Sequence, residues 1–351
     1  MQAPVLLIIF NRADTTARVL AEIAKAKPAK LFVFGDGPRP DRRDDKEKCA
    51  AARSVVRKLV DWNCELIEKY SDENLGCGKG PASAISWVFE QADRAIILED
   101  DCLPHPSFFR FCDEVLEKYL LDQRVMHVAG NNFQFGIKRT PFSYFFSYFN
   151  HPCGGWATWR RAWKHHDLGV SLWLELRETS WLQDIVEHPK AMAHWQKQFD
   201  HAHQHGGKVD YWDFQWSLAC WSQNGLSISP NSTLVSNIGF GHPDATHTKA
   251  ADDALAVLTG ALDLEAMTFP LRHPTYVRRT LEADRFYLER VVLPSLQERK
   301  ALSARLPGPL ASFIHNRPSL SDPRRLLKRL REKALSALSA PRQGPNRLSV
   351  P

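Results

Sequence analysis

Four apolar segments at helix-length intervals constrain this chain more than any other feature: "VLLII" at Val5–Ile9, "LFVF" at Leu31–Phe34, "AIIL" at Ala95–Leu98 and "VMHVA" at Val125–Ala129. None alternates apolar with polar residues, so each reads as a strand covered on both faces. The stretches between them read as helices. Asp14 is placed as an N-cap for "TTARVLAEIAKA", a charged helix is expected from about Arg43 to Trp62, and further helices in "ASAISWVFEQA" and "SFFRFCDEVLEKYLL". Strand and helix in alternation predict an α/β fold, a mostly parallel sheet sandwiched by helices. In such sheets ligands gather beyond the carboxyl ends of the strands. Two polar clusters fall there, Gly35-Asp36-Gly37 and Glu99-Asp100-Asp101.

The second cluster raises a physical problem. Three consecutive carboxylates repel one another, and a buried strand delivers them together. A solvated acidic turn capping the next helix is one resolution. The other is a hard divalent ion, Mg2+ or Mn2+, bound by carboxylate oxygens and bridging to a diphosphate. "NLGCGKGPASAI" (Asn74–Ile85) is glycine-rich before a helix, and its N–H groups with Lys79 could receive an anion. It matches neither the Walker nor the dinucleotide pattern, and a tight strand–helix connection is an equal reading.

After Asn131 the composition changes. Nine of the eleven tryptophans lie between Trp156 and Trp221, and the segment reads as a less regular, substrate-facing half packed on the sheet. "VDYWDFQW" sets Asp210 and Asp213 among aromatics, where partial desolvation makes a carboxylate a better base. "HAHQHGG" carries His201 and His205 four apart, read here as an exposed helix end because no Cys or Glu completes a zinc pattern. "GFGHPDATHT" brings His242, Asp244 and His247 into one loop, able to close on a ligand or to serve as a surface turn.

Charge is unevenly distributed. Residues 271–351 carry +11 and the rest −5, so the basic balance belongs to the tail and the main body gives no basis for nucleic-acid binding. Seven scattered cysteines without a CxxC pair fit a reducing compartment. No apolar run reaches the length of a membrane span, and the expected location is cytoplasmic. A basic amphipathic helix opening at Asp322-Pro323 suits peripheral contact with an anionic membrane surface through residues 320–338, or packing on another protein surface.

In order, these segments resemble nucleotide-sugar glycosyltransferases of the GT-A fold, bacterial family-2-like enzymes and, more distantly, the N-acetylglucosaminyltransferase I type. The resemblance runs over about residues 4–250, on "PVLLIIFNR", "VFGDG", "IILEDD" with its following Pro and Phe-Phe, "VAGNNF", "GGWATWRRAW", "YWDFQW" and "DATHT". It implies a donor half at 1–130 and an acceptor and catalytic half at 131–295, while the basic tail at 296–351, read from its charge, has no counterpart in the family. It further implies a UDP-sugar donor, a glycan or lipid-linked acceptor, and Mn2+ or Mg2+ on Asp101. Arg12 would contact the nucleotide, Asp36 the uracil, Glu99 and Asp100 the sugar and ribose, and His247 would belong to the loop that orders over the donor. Asp213 would be the base, with Asp210 competing because the second Asp of the family's WDD pattern is absent. Trp156, Trp159 and Trp212 are candidate faces for a sugar acceptor. Two alternatives stay open: a metal-dependent sugar-phosphate nucleotidyltransferase, and a non-catalytic sugar-binding protein of the same fold.

Overall fold

The computed structural model describes residues 1–150, 154–245 and 264–293. Its main sheet has eight strands: β1 (Val5–Ile9), β2 (Lys30–Gly35), β3 (Glu65–Tyr70), β4 (Arg94–Glu99), β6 (Val125–Ala129), β7 (Tyr144–Ser147), β8 (Trp156–Trp159) and β9 (Leu226–Pro230). Two short strands, β5 (Cys102–Pro104) and β10 (Val235–Asn237), make a separate antiparallel ribbon. The main order is β3-β2-β1-β4-β8-β6-β9-β7. Pairs β3–β2, β2–β1, β1–β4 and β6–β9 are parallel, whereas β8 and β7 run antiparallel to their neighbours. The expected α/β sheet is therefore present, mixed but mostly parallel.

Burial explains the uninterrupted apolar strands. Val5, Leu7 and Ile9 of β1 face one core while Leu6 and Ile8 face the other. On the first face the sheet is covered by α1 (Ala13–Ala26), α2 (Asp45–Leu59) and α4 (Pro106–Lys118), which contribute Val19, Leu20, Ile23, Val56, Phe108 and Phe111. On the second lie α3 (Gly76–Phe89), the short helices α5 (Arg160–Trp163), α6 (Trp173–Leu176) and α7 (Trp181–Ile185), then α8 (Pro189–Gln204) and α9 (Asp213–Ser222). Each fully buried Leu, Ile or Phe contributes about 1.5–3 kcal/mol relative to exposure. That is why both faces are closed.

Several expectations need correction. Asp14 is not the cap of α1: Arg12 occupies that place without a side-chain cap bond, and Asp14 lies inside the first turn. The acid cluster does not cap α4 either. His105 does, its Nδ1 accepting from the Ser107 N–H, with Pro106 next. The glycine-rich stretch is helix from Gly76 onward rather than a loop before one. The described fold also extends past residue 280. A helix at Leu281–Tyr287 places Asp284, 1% exposed, where it accepts from Ser147 Oγ (2.5 Å), the Tyr148 N–H (3.1 Å) and Arg279 Nε (2.6 Å). No described helix is long and apolar enough to cross a membrane. The segment 320–338 lies outside the described residues.

Candidate functional site

The carboxyl ends of β1, β2 and β4 bring the predicted acids together. Glu99 closes β4 in register with Ile8 of β1, and the chain then turns through Asp100 and Asp101 into β5. That turn is fixed by main-chain bonds: the Ile238 N–H donates to the Asp101 carbonyl (2.8 Å) and the His105 N–H to the Leu234 carbonyl (2.7 Å), flanking the β5–β10 ladder. Arg12, just past β1, sits between two of the acids. Its guanidinium pairs with Asp100 and, at 3.0 Å, with Asp101. Asp100 also accepts the Phe10 N–H at 3.2 Å. Gly239 lies against this pair. A Cβ there would meet Asp101 Oδ2 at 2.2 Å and Arg12 Nη1 at 2.7 Å, so any side chain would have to displace the pair.

Electrostatics define the cluster. Burial pushes the Glu99 carboxyl well above the ordinary range, with Asp101 and Asp100 adding repulsion, Arg12 opposing, and Asp213 contributing from a separate segment. Burial raises Asp100 as well, against the pull of Arg12. For Arg12, burial disfavours its charge, but the two aspartates outweigh it and hold the pKa above its usual value. The Cys77 thiol is pushed up to about 12, first by burial and then by Asp210, Glu99 and Asp36. Acids from three separate segments thus converge on one volume.

The other predicted residues divide clearly. Asp36 accepts from the N–H groups of Gly37 (2.8 Å), Leu75 (2.8 Å) and Gly76 (3.1 Å) and from Asn74 Nδ2 (3.1 Å). Four donors match the capacity of a carboxylate, so Asp36 works here as a clamp between β2 and α3. The Cys77 N–H donates to Asp210 Oδ1 at 2.8 Å. Two N–H groups at the start of α3 therefore serve protein carboxylates rather than an anion, while Lys79 is exposed on the first turn. The glycines permit close approach: a Cβ on Gly78 would fall 2.0 Å from the Val209 carbonyl oxygen.

Asp210 is exposed, not desolvated by tryptophans, and Asp213, half-buried, is the first residue of α9. Trp156 and Trp212 are buried and stacked on each other, 5.4 Å between centroids, so neither offers an open face to a sugar. Trp159 is likewise buried, its Nε1–H donating to the Leu116 carbonyl. His247 lies outside the described residues. Its loop is described as far as Ala245, where His242 contacts Asp14 (3.3 Å) and Asp244 pairs with Lys48 (2.6 Å).

Three contributors escaped the sequence reading: Asn74, Gly239 and His166. His166 stacks on Trp163, 4.1 Å between centroids, and its Nε2–H donates to the Trp212 carbonyl (3.3 Å), fixing the start of α9. Each acts on a partner distant in sequence, and local pattern carries no signal for that.

The donor set fits a hard cation. The Glu99 side chain has no hydrogen-bond or ion-pair partner among the described residues, where a single guanidinium faces Glu99, Asp100 and Asp101 together. No group of three or more His, Cys, Asp or Glu side chains among the described residues is arranged to hold a metal alone. An ion on Asp101 or Glu99 would complete its shell with phosphate or water oxygens, as Mg2+ commonly does.

No family model matches the chain, and no curated protein matches it either. Solved structures similar to it include an apo UDP-glucose pyrophosphorylase, at 9% identity over 66% of this chain and 90% of that one, TM-score 0.33. A cytidylyltransferase from Leptospira borgpetersenii is similar at 12% identity over 56% and 74%, TM-score 0.29. A putative glucose-1-phosphate thymidylyltransferase from Bacillus anthracis is similar at 8% identity over 61% and 99%, TM-score 0.29. Their names belong to the nucleotidyltransferase class kept open above. At these TM-scores the likeness carries no argument about activity. The family resemblance seen in the sequence has no match among these comparisons.

Proposed function

We propose that the protein is a metal-assisted, inverting glycosyltransferase of GT-A type that moves a sugar from a UDP-sugar to an acceptor hydroxyl on a glycan or lipid-linked glycan. The observation that carries this reading is the convergence of Glu99–Asp101, at a strand end, with Asp210 and Asp213 from a separate segment. Transfer with inversion needs a carboxylate base on the face opposite the departing nucleotide. When bound, Mn2+ or Mg2+ on Asp101 would supply Lewis-acid stabilisation of the departing diphosphate. Arg12 adds positive charge beside the same phosphates. Glu99 and Asp100 orient the sugar and ribose hydroxyls, and Asp213 takes the acceptor proton. Asp213 is preferred over Asp210 because it is half-buried where Asp210 is exposed, and because it acts electrostatically on Glu99.

The test is a panel of nucleotide sugars with Mn2+, scored by UDP release for the unaltered protein, Asp101→Ala, Asp213→Asn and Asp210→Asn. UDP release that falls 100-fold or more in Asp101→Ala and Asp213→Asn is expected, in line with the usual worth of a general base. Full metal-dependent turnover in Asp101→Ala would remove the assigned metal site. Pyrophosphate release from a sugar phosphate and a nucleoside triphosphate, without UDP release, would replace this reading with the nucleotidyltransferase one.

A further inference from the structure

At the C-terminal end of α8, two imidazoles lie one turn apart. His201 and His205 are both exposed, and their ring centroids are 4.3 Å apart. Their tautomers follow from their partners. His205 Nδ1 lies 2.8 Å from the His201 carbonyl oxygen, which only accepts, so Nδ1 carries the proton. His201 Nδ1 lies 2.9 Å from the Tyr211 hydroxyl. That hydroxyl has one proton and gives it to the Gln198 carbonyl at 3.1 Å. Both contacts are hydrogen bonds only if His201 Nδ1–H donates to the Tyr211 oxygen. Each ring therefore presents a bare Nε2 lone pair.

We propose that His201 and His205 form a two-imidazole site for one transition-metal ion of the Zn2+, Ni2+ or Cu2+ class, bound through the paired Nε2 atoms. Ligating histidines typically donate the other ring N–H to a carbonyl or similar acceptor, which fixes the tautomer and strengthens the ligand. Here that outer layer is already built: a main-chain carbonyl for His205, and the Tyr211-to-Gln198 relay for His201. Imidazole nitrogen suits these borderline ions, while the carboxylates around Asp101 suit hard ones, so the two sites sort ions by chemistry. With two protein ligands, the remaining positions are left to water. His203 is the internal control. It belongs to the same run, but its Nδ1 faces the Gly169 carbonyl (3.3 Å), and it is not stacked with the pair. This inference is independent of the proposed activity.

The experiment is calorimetric titration of the full chain with Zn2+ and with Cu2+ in excess Mg2+, which occupies the oxygen sites. One equivalent is expected to bind, with Cu2+ tighter than Zn2+. His201→Gln and His205→Gln should each weaken binding at least tenfold. His203→Gln should bind like the unaltered protein. Tyr211→Phe, which keeps both rings but removes the outer partner, should weaken binding about tenfold. Circular dichroism checks that each variant is folded. Unaltered isotherms in His201→Gln and His205→Gln, or an equal loss in His203→Gln, would overturn the site.

Discussion

Replacing Arg12 with Met tests the electrostatic description of the acid cluster without assuming any activity. The side chain keeps a similar apolar stem, and the only cation paired with Asp100 and Asp101 among the described residues is lost. Asp100 is 4% exposed at its side chain and, among the described residues, keeps the Phe10 N–H as its remaining partner. Stranding one member of a buried pair costs about 3–5 kcal/mol. Arg12 retains some solvent contact and Asp100 can take up a proton, so the lower figure, about 3 kcal/mol, is expected. For a folded body of this size that corresponds to a fall in Tm of roughly 6–12 °C. Urea unfolding of Arg12→Met, Asp100→Asn and the double variant gives the coupling directly. Asp100→Asn should recover at least about 1 kcal/mol in the Arg12→Met background, because it removes the stranded charge. The gap to the unaltered protein should narrow below neutral pH, where protonation removes the same charge. Mn2+ should stabilise Arg12→Met more than the unaltered protein, since Arg12 no longer competes for the acids; an ion at 100 times its Kd adds about 2.7 kcal/mol. An Arg12→Met variant within 1 kcal/mol of the unaltered protein, indifferent to Asp100→Asn, would refute the reasoning.

Three further outcomes follow from the geometry. Gly78→Ala should lose about 2 kcal/mol in urea unfolding although alanine is the better helix former, because its Cβ meets the Val209 carbonyl; a gain of stability would show that contact to be slack. Asp36→Ala should cost about 3 kcal/mol by leaving the N–H groups of Gly37, Leu75 and Gly76 without their acceptor, and faster hydrogen exchange at Leu75 and Gly76 would locate the loss. His166, lowered from 6.5 to about 4 chiefly by burial, is neutral in the fold. Between those values the unfolded chain binds the extra proton, so stability falls as pH drops from 6.5 to 4, by about 2 kcal/mol after discounting the ring's residual exposure. His166→Gln should lack that part of the acid limb, and a pH–stability curve parallel to that of the unaltered protein would contradict the assignment.

The sequence displayed the sheet and the location of its ligand edge because both depend on local pattern. A strand buried on two faces must be apolar throughout, and the residue where that run ends marks the edge; Leu98-Glu99 is such a point. Pairing was not legible. Arg12 and Asp101 meet only because β1 and β4 are neighbours, and Gly239 reaches them from the far side of the chain. The glycines of Asn74–Ile85 read as a loop because their partner, the Val209 carbonyl, lies far off in sequence. The tryptophans read as sugar platforms because composition records an aromatic excess but not its direction. In the fold Trp156, Trp163, Trp212 and Trp216 pack against one another.

The β5–β10 ribbon has a consequence for how such a site diverges. It holds the turn after Glu99 through main-chain atoms alone, from Cys102–Pro104 to Val235–Asn237. Main-chain bonds do not depend on side-chain identity, so Leu103 and Ser236 are free to drift without moving the acids. Both positions are half-buried, and a library randomised there should leave the turn and its acids in place.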